Sequence, residues 1–293
     1  MSTPVARLAV LGAGTMGQGI AQLAAQSGIE TRLYDVVPAQ LDKAFAAIGA
    51  VLEKLVQKGK LGTDARSATL GRLTTTLDLA AACGSVDLVI EAAPEDLALK
   101  AELLSKATPA LSPTALIGSN TSSLSVTELG RRIGEPARCI GLHFFNPPPV
   151  MPLLEIVRGR ATSDESVARA LGFAAQIGKE PIVVKDFPGF ASSRLGVALG
   201  AEAMRMLEDG VASAADIDRA MEFGYRHPMG PLKLTDLVGL DVRLAILEHL
   251  EREIGAQFKP PEILRKMVKE GRLGKKVGMG FYRWTEAGPE AVK

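Results

Sequence analysis

Only two cysteines, Cys83 and Cys139, occur among the 293 residues, too few for a disulfide framework or a cysteine metal quartet. Aromatic side chains are scarce as well. Nine Phe, three Tyr and one Trp offer no series of stacking platforms for single-stranded nucleic acid. Neither sign of charge predominates, since 34 Lys and Arg face 33 Asp and Glu for a net charge of +1. A dedicated nucleic-acid binder carries a marked basic excess, so that class is set aside. No unbroken run of about 18 apolar residues is present, and no membrane span is expected. Met1 to Pro4 runs directly into a strand pattern without a charged leader or cleavable apolar core. These absences predict a protein of the reducing cytoplasm with no metal site.

What is present is ordinary globular material, with 47% hydrophobic and 23% charged residues. The length suits two domains. Val5 to Leu11 reads as a strand, Gln18 to Ala25 as a helix and Glu30 to Tyr34 as a second strand. Apolar residues at helical spacing then run from Leu41 to Val56, predicting a long helix over Pro38 to Lys58, and a shorter helical stretch follows around Thr63 to Leu70. Further strands are expected at Val86 to Ile90, Ala115 to Gly118, Cys139 to Phe145, Leu153 to Val157 and Pro181 to Val184. Helices are expected at Pro94 to Ala107, with acids in its first turn, and at Ser163 to Ile177. Such alternation predicts an α/β fold with a doubly wound, mostly parallel sheet of Rossmann type. Beyond Asp186 the alternation stops. Phe190 to Glu208, Ala214 to Phe223, Thr235 to Ile254 and Pro261 to Glu270 all read as helices, and the tail from Gly271 as a loop with an extended piece at Phe281-Tyr282. Domains are therefore expected at 1–187 and 188–293, the second all-helical.

The hexad Gly12-Ala13-Gly14-Thr15-Met16-Gly17 fits the dinucleotide fingerprint. Its first glycine permits a tight turn, its second lets backbone approach a pyrophosphate, and its third allows close packing of helix on strand. The pyrophosphate then meets free N–H groups at a helix N-terminus, over Thr15 and Met16. Asp35 closes the second strand, where a carboxylate accepts both ribose hydroxyls and repels a 2′-phosphate. NAD is the expected cofactor rather than NADP.

Three histidines are available as a general base. His249 lies in an amphipathic helix and His227 in an interhelical turn before a proline. His143 ends an apolar strand at the carboxyl edge of the sheet, where open α/β folds place their ligands. The residues alone leave His143 open between a catalytic and a structural role. Lys54 and Lys58 share one helix face, and Arg272, Lys275 and Lys276 form a second basic group. On spacing alone, each is either an anion site or a solvated face.

Ser119-Asn120-Thr121-Ser122-Ser123-Leu124, Gly141-Leu142-His143-Phe144-Phe145-Asn146-Pro147 and Pro188-Gly189-Phe190 with Arg194 follow in this order. With Val89-Ile90-Glu91-Ala92, His227-Pro228-Met229-Gly230-Pro231 and Gly280-Phe281-Tyr282, the chain resembles the 3-hydroxyacyl-CoA dehydrogenase family, in particular its short bacterial 3-hydroxybutyryl-CoA branch. The resemblance implies oxidation of an (S)-3-hydroxyacyl-CoA to the 3-ketoacyl-CoA with hydride transfer to NAD. It also implies that His143 is the base, Glu155 its carboxylate partner, and Ser122 the hydroxyl bonded to the substrate 3-oxygen. By the same resemblance Glu95, Lys100, Asn120, Asn146 and Lys276 lie at the cofactor, and Lys54 and Lys58 receive the CoA phosphates. The helical domain is implied to form a homodimer and to close over the substrate.

One position departs from the pattern. Ser193 stands where the family carries an active-site Asn, so a shorter hydroxyl replaces the carboxamide. Two other readings stay open, a related dehydrogenase of a non-CoA β-hydroxy acid and a non-catalytic dinucleotide-binding protein on the same fold.

Overall fold

The computed structural model describes residues 3–292. Contacts divide the chain into two compact units, the first ending at Phe187 and the second starting at Pro188.

The first unit runs β1 (Arg7–Leu11), α1 (Thr15–Gln26), β2 (Glu30–Tyr34), α2 (Pro38–Gln57), α3 (Thr63–Gly71), β3 (Leu73–Thr76), α4 (Leu79–Cys83), β4 (Leu88–Glu91) and α5 (Leu97–Ala107). It continues through β5 (Leu116–Ser119), α6 (Val126–Arg132), β6 (Cys139–Phe144), β7 (Leu153–Arg158), α7 (Asp164–Gln176) and β8 (Glu180–Lys185). The strands form one sheet in the order β3-β2-β1-β4-β5-β6-β7-β8, parallel throughout except where β7 runs against β6. Leu8, Val10, Leu33, Leu88, Ile90, Ile140, Leu142, Leu154 and Ile156 are almost fully buried in its core. Strands covered on both faces read as continuous apolar runs, which is why most of them stand out in the sequence.

Two elements were hidden. β3 is a short edge strand of sequence Leu-Thr-Thr-Thr, whose polar hydroxyls mask its β-branched preference for extended backbone. α4 has only five residues, started by Asp78, whose side chain accepts from the Ala80 and Ala81 amides. The start of α5 also differs from expectation. It begins at Leu97 with Asp96 as N-cap, accepting from the Leu99 amide at 2.8 Å, and its first turn holds no acid. Glu95 is thereby left outside the helix.

The second unit comprises α8 (Ser192–Glu208), α9 (Ala214–Arg219), α10 (Pro231–Val238), α11 (Leu240–Glu253), α12 (Glu262–Lys269) and an antiparallel hairpin of β9 (Tyr282–Thr285) and β10 (Gly288–Ala291). The single helix expected over Thr235 to Ile254 is two, because Gly239 takes φ +105° and ends α10. Ala220–Gly224 adds a π-helical turn after α9. The tail is less loop-like than its glycines suggest. The buried Asp236 carboxylate accepts from the Phe281 and Tyr282 amides and the Trp284 indole N–H, each at 2.9 Å. A Cβ on Gly280 would lie 2.0 Å from Asp236 Oδ1, so only glycine allows this approach. Among the described residues no helix is long and apolar enough to cross a membrane, and no group of three or more His, Cys, Asp or Glu could hold a metal ion.

Candidate active site

The glycine turn joins β1 to α1, and each of its glycines meets a different constraint. Gly12 has φ +110° and would place a Cβ 2.8 Å from the Ala92 carbonyl oxygen. A Cβ on Gly17 would lie 1.8 Å from the Gly12 carbonyl oxygen, so helix and turn touch only without a side chain. Gly14 differs, since nothing lies within 4 Å of where its Cβ would be. Its bare Cα therefore faces open space. Gly14 is also the N-cap of α1 and contributes no side-chain cap, leaving the first amides of the helix for an anion. A groove of about 600 Å³ opens here, lined by Gly12, Gly14, Thr15, Met16, Asp35 and the Ala92–Pro94 segment among others. Asp35 accepts from the Ala13 amide at 2.8 Å and the Val37 amide at 3.0 Å, which ties the end of β2 to the turn. The arrangement fits a dinucleotide: open backbone and helix amides for the pyrophosphate, a carboxylate beside it for the ribose.

Parallel pairing of β4 with β5 brings Glu91 opposite Ser119 at the carboxyl edge. Glu91 is fully buried, and sequence reasoning assigned it no role. It accepts from Ser119 Oγ at 2.6 Å, the Ala93 amide at 2.6 Å and Lys100 Nζ at 2.8 Å. Burial pushes its carboxyl above the usual range, against the Lys100 charge and these bonds.

Lys100 requires a correction. Its Nζ is buried at 1% exposure and donates to Glu91 and to the Ala93 carbonyl at 3.0 Å, with Glu95 Oε2 at 3.4 Å. Lys100 is thus buried against Glu91 and the Ala93 carbonyl, and its ammonium does not face solvent. It supports the groove wall from behind. Glu95 also bonds to protein through one oxygen. Its Oε1 accepts from Thr121 Oγ1 at 2.7 Å, from Ser122 N and Oγ at 2.8 and 3.0 Å, and from Ser123 N and Oγ at 3.1 and 3.2 Å. Burial alone would raise the Glu95 carboxyl, but the Lys100 charge and these donors outweigh it and hold it below the usual range. One Glu95 oxygen thus clamps the Ser122 turn, while the side chain remains 35% exposed. Ser125, not Ser122, caps the following helix, accepting from the Glu128 amide at 3.1 Å. Ser122 is thus free of the capping role.

β6 carries His143 to the same edge. Asn120 Oδ1 accepts from the Phe144 amide at 3.0 Å, so the Ser122 turn is laced to the His143 strand. Antiparallel pairing places Glu155 on β7 directly opposite His143, and the Nδ1–Oε2 distance is 2.8 Å. Glu155 is fully buried and His143 is 7% exposed. The imidazole leans on Phe145 at 4.6 Å between ring centroids. With Nδ1–H held by the carboxylate, Nε2 keeps the lone pair of a base. Asn146 is exposed just past β6, and Pro148 behind it packs on Gly19 of α1, whose Cβ would sit 2.6 Å from the proline ring. Lys179 secures that turn from inside, donating 2.7 Å bonds to the Pro148 and Met151 carbonyls.

The remaining expected residues lie on other elements. Lys54 and Lys58 are exposed at the end of α2. Ser193 opens α8, and Lys276 is held by both oxygens of Asp241 at 2.6 and 2.5 Å, all within the second unit. The second basic group does not act as one patch, since Lys275 covers the Trp284 ring at 5.2 Å and Arg272 donates to the Gly280 carbonyl at 2.6 Å.

Comparison with known proteins gives the family. Residues 7–187 match the NAD-binding domain model of 3-hydroxyacyl-CoA dehydrogenase, and residues 189–284 match its C-terminal domain model. The chain belongs to the 3-hydroxyacyl-CoA dehydrogenase family. It is an NAD-dependent enzyme of that family. A probable 3-hydroxybutyryl-CoA dehydrogenase of Deinococcus radiodurans is 44% identical over 95% of this chain and 100% of its own. A 3-hydroxyadipyl-CoA dehydrogenase of Escherichia coli is 41% identical over the whole chain, which spans 62% of that protein. The crystal structure of (S)-3-hydroxybutyryl-CoA dehydrogenase from Ralstonia eutropha superposes with a TM-score of 0.92 at 38% identity, covering 96% of this chain and 100% of the other.

Proposed function

We propose that this family member interconverts (S)-3-hydroxyacyl-CoA and 3-ketoacyl-CoA, with His143 taking and returning the hydroxyl proton. The 2.8 Å bond from His143 Nδ1 to the buried Glu155 carboxylate carries this reading. It fixes the tautomer that leaves Nε2 basic, and it stabilises the imidazolium once the proton arrives. NAD bound at Gly12, Gly14 and Asp35 would accept the hydride in oxidation and return it in reduction.

The Ser122 hydroxyl is positioned to bond the substrate 3-oxygen. One Glu95 oxygen receives five donors from the Ser122 turn, more than it can align with well, so the hydroxyl exchanges this acceptor for substrate at small cost. Ser193, at the position of the family's active-site Asn, keeps one hydroxyl donor and acceptor in place of the carboxamide. Lys54 and Lys58 receive CoA phosphates, and Lys276 and Asn146 act toward the cofactor. Exposed Leu195, Phe223 and Tyr225, each more than 70% accessible, support a homodimer through the second unit. Light scattering on the purified chain checks this.

The deciding assay is NADH oxidation with acetoacetyl-CoA beside free acetoacetate. Turnover of the thioester alone is expected. Equal turnover of the free acid favours a non-CoA substrate, and no turnover of either leaves a non-catalytic dinucleotide binder.

A further inference from the structure

The segment after the His143 strand is short of hydrogen-bond donors. Residues 147–152 include Pro147, Pro148, Pro149 and Pro152, which leaves amides only on Val150 and Met151. Both amides donate to the Pro147 carbonyl, at 2.9 and 3.0 Å. The segment therefore cannot satisfy its other carbonyls from within. Lys179 supplies the missing donor, with 2.7 Å bonds from Nζ to the Pro148 and Met151 carbonyls. The amide of the next residue, Glu180, donates to the Pro152 carbonyl at 2.9 Å.

Lys179 is 7% exposed, and among the described residues no carboxylate pairs with it. Buried lysines are ordinarily paired, because an isolated charge in a low-dielectric interior is costly. Burial pulls this ammonium below the usual lysine range with no acid opposing it. The backbone nevertheless delivers it rigidly to this place. Gly178, at φ +66°, ends α7 in a Schellman turn. Its amide donates to the Ala175 carbonyl at 3.1 Å, and the Lys179 amide to the Ala174 carbonyl at 2.9 Å. Glu180 then starts β8 opposite Leu153 of β7. Lys179 is thus fixed on both sides, and its charge is kept for two carbonyls.

The turn it secures joins the base strand to the cofactor helix. On its inner side the Pro148 ring meets α1 at Gly19, where a Cβ would lie 2.6 Å from the proline Cδ. No side chain could stand between them, so turn and helix backbone are in direct contact. Gly19 lies on the same helix as Gly14, whose end offers its first amides to the pyrophosphate.

We propose that Lys179 is a positioning residue for hydride transfer: through the Pro147–Met151 turn it holds the end of the His143 strand and Asn146 in register with α1. The proposal rests on the dehydrogenase reading above. Removing the ammonium leaves the Pro148 and Met151 carbonyls without a donor, and the turn must open toward water to satisfy them. Pro148 then leaves Gly19, and the base strand and the cofactor helix are no longer held together.

The test is Lys179→Met, which keeps the apolar stem and removes the donors. Its affinity for NADH, read by fluorescence titration, should weaken at least about fivefold, and kcat with acetoacetyl-CoA should fall about tenfold or more. KM for acetoacetyl-CoA should stay within about twofold, because the lysines assigned to CoA sit on α2 and make no bond to this turn. The melting temperature should drop under this proposal and under a purely structural role alike, so the split between the constants decides. A folded Lys179→Met with wild-type NADH affinity and kcat overturns the proposal. Weakening of NADH and acetoacetyl-CoA by the same factor overturns it too, since that marks a general loosening. If Lys179→Met does not fold, Pro148→Ala replaces it. This variant keeps the Lys179 bonds but removes the ring that touches Gly19, and should weaken NADH about threefold with KM for acetoacetyl-CoA unchanged. Unchanged NADH affinity in Pro148→Ala then overturns the proposal. Absence of turnover by wild type would instead defeat the dehydrogenase reading, while NADH titration of the variants still reports on Lys179.

Discussion

His143 and Glu155 are twelve positions apart in the chain and directly opposite one another across the antiparallel β6–β7 step, 2.8 Å from Nδ1 to Oε2. Glu155→Gln keeps the volume but offers an amide that can bind either ring tautomer. Turnover should fall by about 10²–10⁴-fold with KM for acyl-CoA changed far less. His143→Gln should lose at least as much. Steady-state kinetics of both variants check this, and a Glu155→Gln enzyme with wild-type kcat would remove the pair from the mechanism.

The glycine turn separates fold from binding. Gly17→Ala drives a methyl to 1.8 Å from the Gly12 carbonyl oxygen, which the backbone cannot absorb in place. It should cost about 1–3 kcal/mol or more and lower the melting temperature by several degrees. Gly14→Ala meets no protein atom within 4 Å, so its melting temperature should stay within about two degrees of wild type while NADH binding weakens at least tenfold. Calorimetry and NADH fluorescence titration distinguish them. Equal destabilisation by both would contradict the assignment of Gly14 to the ligand.

Lys54 and Lys58 are exposed one helical turn apart at the end of α2. The double variant Lys54→Glu/Lys58→Glu should raise KM for acetoacetyl-CoA by about tenfold and the effect should shrink with added salt, while KM for NADH changes little. An unchanged acyl-CoA KM would return both lysines to the solvated surface.

Neither thiol should react in the native protein. Burial pushes Cys139 up to about 12 and Cys83 to about 11, the latter despite the nearby Arg32 charge. Because only the thiolate attacks, native protein at pH 8 should show no thiol release with a disulfide reagent over an hour, and two thiols after denaturation. Fast labelling of either cysteine in the folded state would show that its cover opens.

Local features were the legible ones. Strand, glycine turn, helix, strand and Asp35 lie within one short stretch, so spacing alone specifies a dinucleotide half. The alternation that stops near Phe187 likewise shows where sheet gives way to helices. The His143 motif was readable by its resemblance to a family, and the pattern by itself placed it no further than a strand end.

What tertiary structure decided were matters of register and burial. Composition cannot say that β7 reverses direction and thereby seats Glu155 against His143. Lys100 reads as a solvated helix lysine until the β4–β5 edge folds over it and closes an ion pair with Glu91. Gly239 reads as a tolerated helix glycine until its φ of +105° splits α10 from α11. The sequence determined the cofactor half and the kinds of chemistry on offer, because those depend on neighbours in the chain. Which charges are buried, and against what, depends on residues far apart in the chain, and packing alone brings those together.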